Sequence, residues 1–282
     1  MNDITDGATL IKKGKVKDIY SLEGNRLLFE FSDRVSAFDV ILPSTIPKKG
    51  EILCKFAEFW FNTLRIPNHM LSVVDVNKMI VKKLNMIPIE CIVRGYLYGG
   101  LYERVKKGEV AFDLDLTLAR KLPEPMFDPT TKSEIKDLPI DKDEAISKGL
   151  TNPDEFEKLK EISISLYNQL NEVASKAGFI IADIKFEFGK DDDGNILLAD
   201  SVGPDEFRLW SKEKYELGKN QESWDKQLVR DWLIDTGYKG DIDEASKNGE
   251  PIPAPPDIPS DLISRVTDRY MIAYEKMTGG RL

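Results

Sequence analysis

The run Asp183-Ile184-Lys185-Phe186-Glu187-Phe188, followed by Asp192-Asp193-Gly194-Asn195 and then Ile196-Leu197-Leu198-Ala199-Asp200, decides how this chain is read. Charged and apolar residues alternate in the first stretch. Asp183, Lys185 and Glu187 therefore share one face of a strand, while Ile184, Phe186 and Phe188 face a core. Asp-Gly is a strong two-residue hairpin signal, and a turn centred on it sets Glu187 directly opposite Asp200. Two carboxylates about 5 Å apart repel by about 3 kcal/mol at an effective dielectric of about 20. A cation removes the conflict, and magnesium favours one or two carboxylates completed by phosphate oxygens and water. The same pattern also fits a solvated acidic face on an edge hairpin. A one-residue slip in register would part the two acids, and spacing alone does not choose between the readings.

Upstream of this hairpin, residues 9 to 48 read as short strands punctuated by Gly14 and Glu23-Gly24-Asn25. Leu53, Phe56, Ala57, Trp60 and Leu64 follow at helical spacing, with Pro67 as a stop. Strands are expected over 79–84 and 89–93, joined by a non-helical connector, and residues 96–107 are expected to open a helix starting at Tyr96. Residues 108–150 are polar and aperiodic and read as a long functional loop. Asn152-Pro153-Asp154-Glu155 starts a helix that Gly178 ends. After the hairpin come a helix over 223–235, a linker carrying five prolines over 251–259, and a closing amphipathic helix over 260–277.

With 282 residues, 41% hydrophobic and 32% charged, the chain can bury one large core or two modest ones sharing a cleft. No apolar run approaches the roughly 18 residues that cross a bilayer, and Met1 to Gly7 lacks a signal pattern. The expectation is a cytoplasmic protein with no membrane partner. A formal charge of −9 argues against nucleic acid as a partner, which calls for a basic footprint. Cys54 and Cys91 belong to no CxxC pair, so they read as reduced, buried thiols. His69 is the only histidine, which excludes every catalytic pair of histidines, and its place in Ile66-Pro67-Asn68-His69-Met70 suggests a capping or surface role.

Neither GxxxxGK[ST] nor GxGxxG occurs. In their place Gly14-Lys15-Val16-Lys17 leaves a glycine turn with Lys15 and Lys17 on one strand face, able to reach over a triphosphate or simply to coat a surface. Arg94 ends the apolar run Ile89 to Val93, where a cation needs a partner. Arg208 and Arg230 offer further forks for carboxylate or phosphate, with surface salt bridges as the commoner fate of such residues.

Taken together, Gly14 to Tyr20, Ser32 to Asp39, Lys82-Lys83-Leu84 through Glu90 to Tyr96, Asp183 to Gly189, Asp200 to Trp210 and Trp224 to Asp231 resemble the SAICAR synthetase family, in order and over nearly the whole chain. The resemblance implies an α+β, two-lobed, ATP-grasp-like fold, with a β-rich nucleotide lobe at 1–85 and a larger α+β lobe at 86–282. It implies that Lys15 and Lys17 approach the phosphates of ATP, that Lys82, Leu84 and Met86 border the adenine, and that Glu187 and Asp200 hold Mg2+. Arg94, Asp183, Lys185, Asp205, Arg208 and Arg230 match positions around carboxyaminoimidazole ribonucleotide, with Lys15, Lys185 and Arg94 closest to the chemistry. Two departures stand out. Gly99-Gly100 occupies a place where the family usually reads Gly-Ser, and Asp128 stands for Thr in Pro125 to Lys132.

The implied reaction joins the ribonucleotide's carboxylate to the amino group of L-aspartate through an acyl phosphate, with a monomer or small homo-oligomer as the working form. A protein-kinase-like phosphotransferase is the first rival, but Val229-Arg230-Asp231 lacks the histidine and asparagine of HRDxxxxN. A non-enzymatic nucleotide-binding module is the second, and it has no use for three further arginines.

Overall fold

The computed structural model describes residues 7–132 and 137–282. The first sheet is antiparallel and built from β1 (Thr9–Lys13), β2 (Lys17–Leu22), β3 (Arg26–Phe31), β6 (Met70–Asp75) and β7 (Lys78–Lys82), in the order β1-β2-β3-β7-β6. A separate ribbon pairs β4 (Arg34–Ala37) with β5 (Val40–Thr45). Helix α1 (Lys49–Thr63) buries Ile52, Leu53, Phe56, Ala57 and Trp60 against β3 and β6, the stripe its sequence spacing predicts.

The second sheet is organised around β12 (Phe179–Lys190), whose central residues are almost all buried. On one path lie β10 (Arg120–Phe127), β9 (Ile89–Leu97), β12 and β13 (Ile196–Ala199). The short β8 (Asn85–Met86) and β14 (Phe207–Ser211) also pair with β12, and β11 (Thr130–Thr131) pairs with β9. Long helix α4 (Pro153–Lys176) packs along β12, β9 and β10. Its start follows the sequence closely: Asn152 accepts from the Glu155 N–H, with proline at the first position.

Several sequence expectations are corrected. Residues 108–150 are not one loop, because they contain β10, β11 and α3 (Lys142–Ser147). Pro123 and Pro125 sit where the β10–β9 register skips between Lys121 and Met126, and prolines at such an edge irregularity hide the strand pattern. Strand β9 continues to Leu97, so Arg94 lies inside the strand, and α2 (Gly99–Lys106) starts later than Tyr96. Helix α5 (Gln227–Asp235) starts after Ser223, which bridges to Trp210 instead. Helix α6 (Tyr238–Asn248) escaped the sequence reading, since its apolar face amounts to Tyr238, Ile242 and Ala245.

One apolar core joins these layers. It includes Phe31, Phe56 and Trp60 from the first sheet and α1, Leu166 and Leu170 from α4, Phe186 and Phe188 from β12, and Val266 and Tyr270 from α7 (Ser260–Thr278). Helix α7 returns across the proline linker to pack on α1, α4 and α5. Both cysteines are buried in this core, where desolvation pushes each thiol up to about 12.

Candidate active site

Glu187 pairs with Ala199, not with Asp200. The reason lies in the turn: Gly194 donates to the Asp191 carbonyl and Asp191 to the Asn195 carbonyl, leaving a three-residue loop with Gly194 at φ 80°. That is the three-residue hairpin with glycine in the left-handed position, further fixed by the Asp191 carboxylate accepting from the N–H groups of Asp193 and Asn195. The register is therefore one residue off the two-residue prediction, which in a regular strand would turn Asp200 to the opposite face. Asp200 escapes that outcome by leaving the strand at φ 60°, a costly conformation for a residue with a Cβ.

From there the Asp200 carboxylate accepts from Lys17 Nζ at 2.5 Å. Burial alone would raise its pKa, but the charges of Lys17 and Lys185 hold it well below the usual carboxylate range. Lys17 also donates to Ser201 Oγ at 3.2 Å and sits over the rings of Phe29 and Phe31. The Gly14 N–H donates to the Lys17 carbonyl, and a Cβ on Gly14 would lie 2.5 Å from that oxygen. This tight turn separates the two lysines. Lys15 is exposed at the rim and pairs with Asp39 at 2.5 Å, so the expected shared strand face does not exist.

Along β12 the three charged residues lie on one face as their alternation predicts. Lys185 Nζ is 2.8 Å from Glu90 Oε1 and 3.0 Å from Glu187 Oε1. Burial acts to lower its pKa, yet the surrounding charges of Glu187, Glu90 and Asp200 raise it well above the ordinary lysine value. Lys132 makes a second ion pair to Glu187. At the other end Asp183 receives Arg208 and, at 3.5 Å, Arg94 Nη1. Arg94 Nε also donates to Asp128 at 2.5 Å.

Asp205 is anchored from two helices, by Lys49 Nζ at 2.7 Å and by Tyr270 Oη at 3.1 Å. Burial opposes its ionisation, but the charges of Lys49 and Lys226 bring its pKa down to about 2. Its neighbour Glu206 goes the other way, pushed up to about 7 by burial and by the charge of Asp205. Glu206 Oε1 accepts from Ser201, while Oε2 has no partner among the described residues. Arg230 stands one helical turn beyond Lys226, and burial lowers the pKa of both, Lys226 to about 8.

The connector between the sheets crosses the end of β12. Met86 pairs with Gly189, where a Cβ would lie 2.7 Å from Leu84 Cβ and 3.2 Å from Met86 Sδ, so only glycine lets Leu84 and Met86 lie this close. Lys82 reaches Asp191 at 3.4 Å.

His69 is not at the surface. It is buried between the rings of Phe29 and Phe61, with Nε2 3.2 Å from the Asp200 carbonyl. Desolvation lowers its pKa to about 4, so it is a neutral donor bracing the strained residue. Glu90, Lys132, Lys49 and Glu206 were also missed as site residues. Of these, only Glu90 had a signal, as a charge flanked by the apolar core residues Ile89 and Cys91.

Among the described residues, no group of three or more His, Cys, Asp or Glu side chains is arranged to hold a metal. Glu187 and Asp200 are two hard oxygen donors already matched by lysines. Such a pair suits a cation that takes its other ligands from phosphate and water, as magnesium does.

The sequence matches the family model described as SAICAR synthetase over residues 10–245. A phosphoribosylaminoimidazole-succinocarboxamide synthase of Nitrosopumilus maritimus is 53% identical over 274 residues, covering 96% of this chain and 99% of that protein. The synthase of Candida maltosa is 37% identical, covering 96% of this chain and 95% of its own length. Among solved structures, SAICAR synthase from Saccharomyces cerevisiae complexed with SAICAR superposes with a TM-score of 0.84 at 33% identity, covering 100% of this chain and 98% of that one. A SAICAR synthetase in complex with ADP gives 0.73 at 28% identity, covering 96% and 98%.

Proposed function

Because the chain belongs to the SAICAR synthetase family, we propose that it joins carboxyaminoimidazole ribonucleotide to L-aspartate, consuming ATP and releasing ADP, phosphate and SAICAR. Its two-sheet α+β architecture is the ATP-grasp-like fold of that family, and membership makes it an ATP-dependent ligase of purine biosynthesis. We take the lobes to divide at 85/86 and the protein to work in the cytoplasm; among the described residues no helix is long and apolar enough to cross a membrane.

The observation that carries the reading is the charged face of β12. It runs from arginine-bound Asp183, through Lys185, to Glu187 near the Lys17–Asp200 pair. An anionic ribonucleotide lying along it would place its phosphate near Arg94 and Arg208 and its carboxylate near Lys185, with Asp183, Asp205 and Arg230 around it. Lys82, Leu84 and Met86 would border the adenine, and Lys17, with Lys15 at the rim, would meet the triphosphate. Magnesium held by Glu187 and Asp200 would neutralise charge on those phosphates.

Carboxylates are poor acylating agents. Transfer of the γ-phosphoryl group to the ribonucleotide carboxylate forms an acyl phosphate, and the aspartate amine then displaces phosphate. For the first step the protein positions the two anions and screens their repulsion, work suited to Lys17, Lys185 and Arg94. The test is to incubate the protein with ATP, magnesium, the ribonucleotide and each amino acid in turn. Phosphate release with aspartate alone is the expected result, and release without the ribonucleotide or with no amino-acid preference would overturn it.

A further inference from the structure

Helix α2 begins beside three arginines, and one of them, Arg104, has no part in the function proposed above. Its Nη2 donates to both oxygens of Asp128, at 2.5 and 2.6 Å. Asp128 is buried and also accepts from Arg94 Nε, while Arg94 Nη1 shares Asp183 Oδ2 with Arg208. Three guanidinium groups are thus strung on two carboxylates.

Each guanidinium carries five N–H donors. Among the described residues, Arg94 Nη2, Arg104 Nε and Nη1, and Arg208 Nη2 make no hydrogen bond. Arg208 Nη2 lies against the start of α2, since a Cβ on Gly99 would be 2.8 Å from it. The first-turn N–H groups of that helix have no intrahelical acceptors. At Gly100 a Cβ would meet nothing within 4 Å, so the space beside this turn is open. Arg104 follows Gly100 by four residues, on the same helix face, and helical side chains lean towards the N-terminus. No atom of the Arg104 side chain comes within 4 Å of where a Gly100 side chain would begin, so open space lies between the two positions.

We propose that Arg104 is a ligand of the ribonucleotide's phosphate, supplying from the second turn of α2 the donor that Gly100 has no side chain to give. Asp128 is a positioning residue that holds Arg104 and Arg94 side by side. Planar guanidinium groups match phosphate oxygens in pairs, which makes this row suited to a phosphate monoester. The assignment rests on the reading that the ribonucleotide lies along Arg94 and Arg208.

The test compares wild type with Arg104→Ala and Arg104→Lys. In Arg104→Ala the KM for the ribonucleotide should rise by about tenfold or more, the loss of about 1.4 kcal/mol of charge-assisted binding. The KM for ATP and for aspartate, and kcat, should stay within about twofold. Arg104→Lys should fall between. Ribose 5-phosphate, used as a competitive inhibitor, should lose affinity in parallel. Adding Gly100→Ser to Arg104→Ala should recover part of the loss, a rescue that a merely structural role for Arg104 would not show. Ribonucleotide KM and ribose 5-phosphate affinity both unchanged in Arg104→Ala, or all three KM values rising together without rescue, would overturn the proposal. Failure of the wild-type protein to turn over the ribonucleotide would instead count against the function proposed above, and is read separately.

Discussion

Lys17 Nζ lies 2.5 Å from Asp200 Oδ1, and this one contact ties the first sheet to the end of the hairpin in the second. The ammonium is largely buried and makes no other ion pair among the described residues, so the pair stands or falls together. Lys17→Met should lower the stability of the unliganded protein by about 3–5 kcal/mol, the cost of stranding a buried charge, and turnover by at least about 100-fold. Urea unfolding and phosphate release check the two arms. Near-normal turnover would remove Lys17 from the phosphate site.

Glu187 is different because two ammonium groups share it. Glu187→Gln keeps the shape and one acceptor, so the fold should survive with a circular-dichroism spectrum like wild type. Turnover should fall by about 1,000-fold or more, because a neutral amide binds magnesium poorly. Activity within tenfold of wild type would sink the assignment of Glu187 as a metal ligand.

His69 makes acid stability a readout of the site. Its folded pKa of about 4 is below the ordinary 6.5, so the unfolded chain takes up a proton that the native ring refuses. Stability should be fully present above pH 6.5 and fall by about 3 kcal/mol as pH drops towards 4. His69→Gln should flatten that part of the curve. Identical slopes for the two proteins between pH 6.5 and 4 would mean the ring is not neutral in the native state.

Glu206 predicts the opposite dependence. Its carboxyl is raised from 4.5 to about 7 by burial and by Asp205, so the native state holds a proton the unfolded chain has lost. That contribution is complete below pH 4.5 and disappears as pH rises through 7, amounting to about 3 kcal/mol. Glu206→Gln, unable to ionise, should therefore gain on wild type between pH 5 and 8 in urea unfolding. Parallel curves would show that Glu206 is ionised throughout.

Much of this was legible because it is local. The alternation of Asp183, Lys185 and Glu187 put them on one face, and the Asn152-Pro153 start of α4 is as the sequence reads. The hairpin turn was legible only in kind. Asp193-Gly194 marks a turn, but a two-residue and a three-residue loop both use Gly194, and Asp191 tips the balance by capping two N–H groups from its side chain. The expected pairing of Glu187 with Asp200 does not form, yet the left-handed Asp200 offsets the shifted register and both acids act on Lys185. His69 and Lys49 were out of reach because their partners, the Asp200 carbonyl and Asp205, lie more than a hundred residues away. Asp128 showed in the sequence only as a departure from a pattern, and its two arginine partners appear only once β9, β10 and α2 are in place.

Tyr270 has a consequence for how the molecule is made. Ribosomes build chains from the N-terminus, and Tyr270 follows Asp205 by 65 residues, so Asp205 waits for its tyrosine until α7 has been translated. A nascent chain whose α7 has not yet emerged can pair its sheets and seat Lys17 on Asp200, yet it holds an unfinished Asp205. Activity should accordingly appear only once α7 has cleared the ribosome, and a nascent chain stalled before Tyr270 emerges should show none.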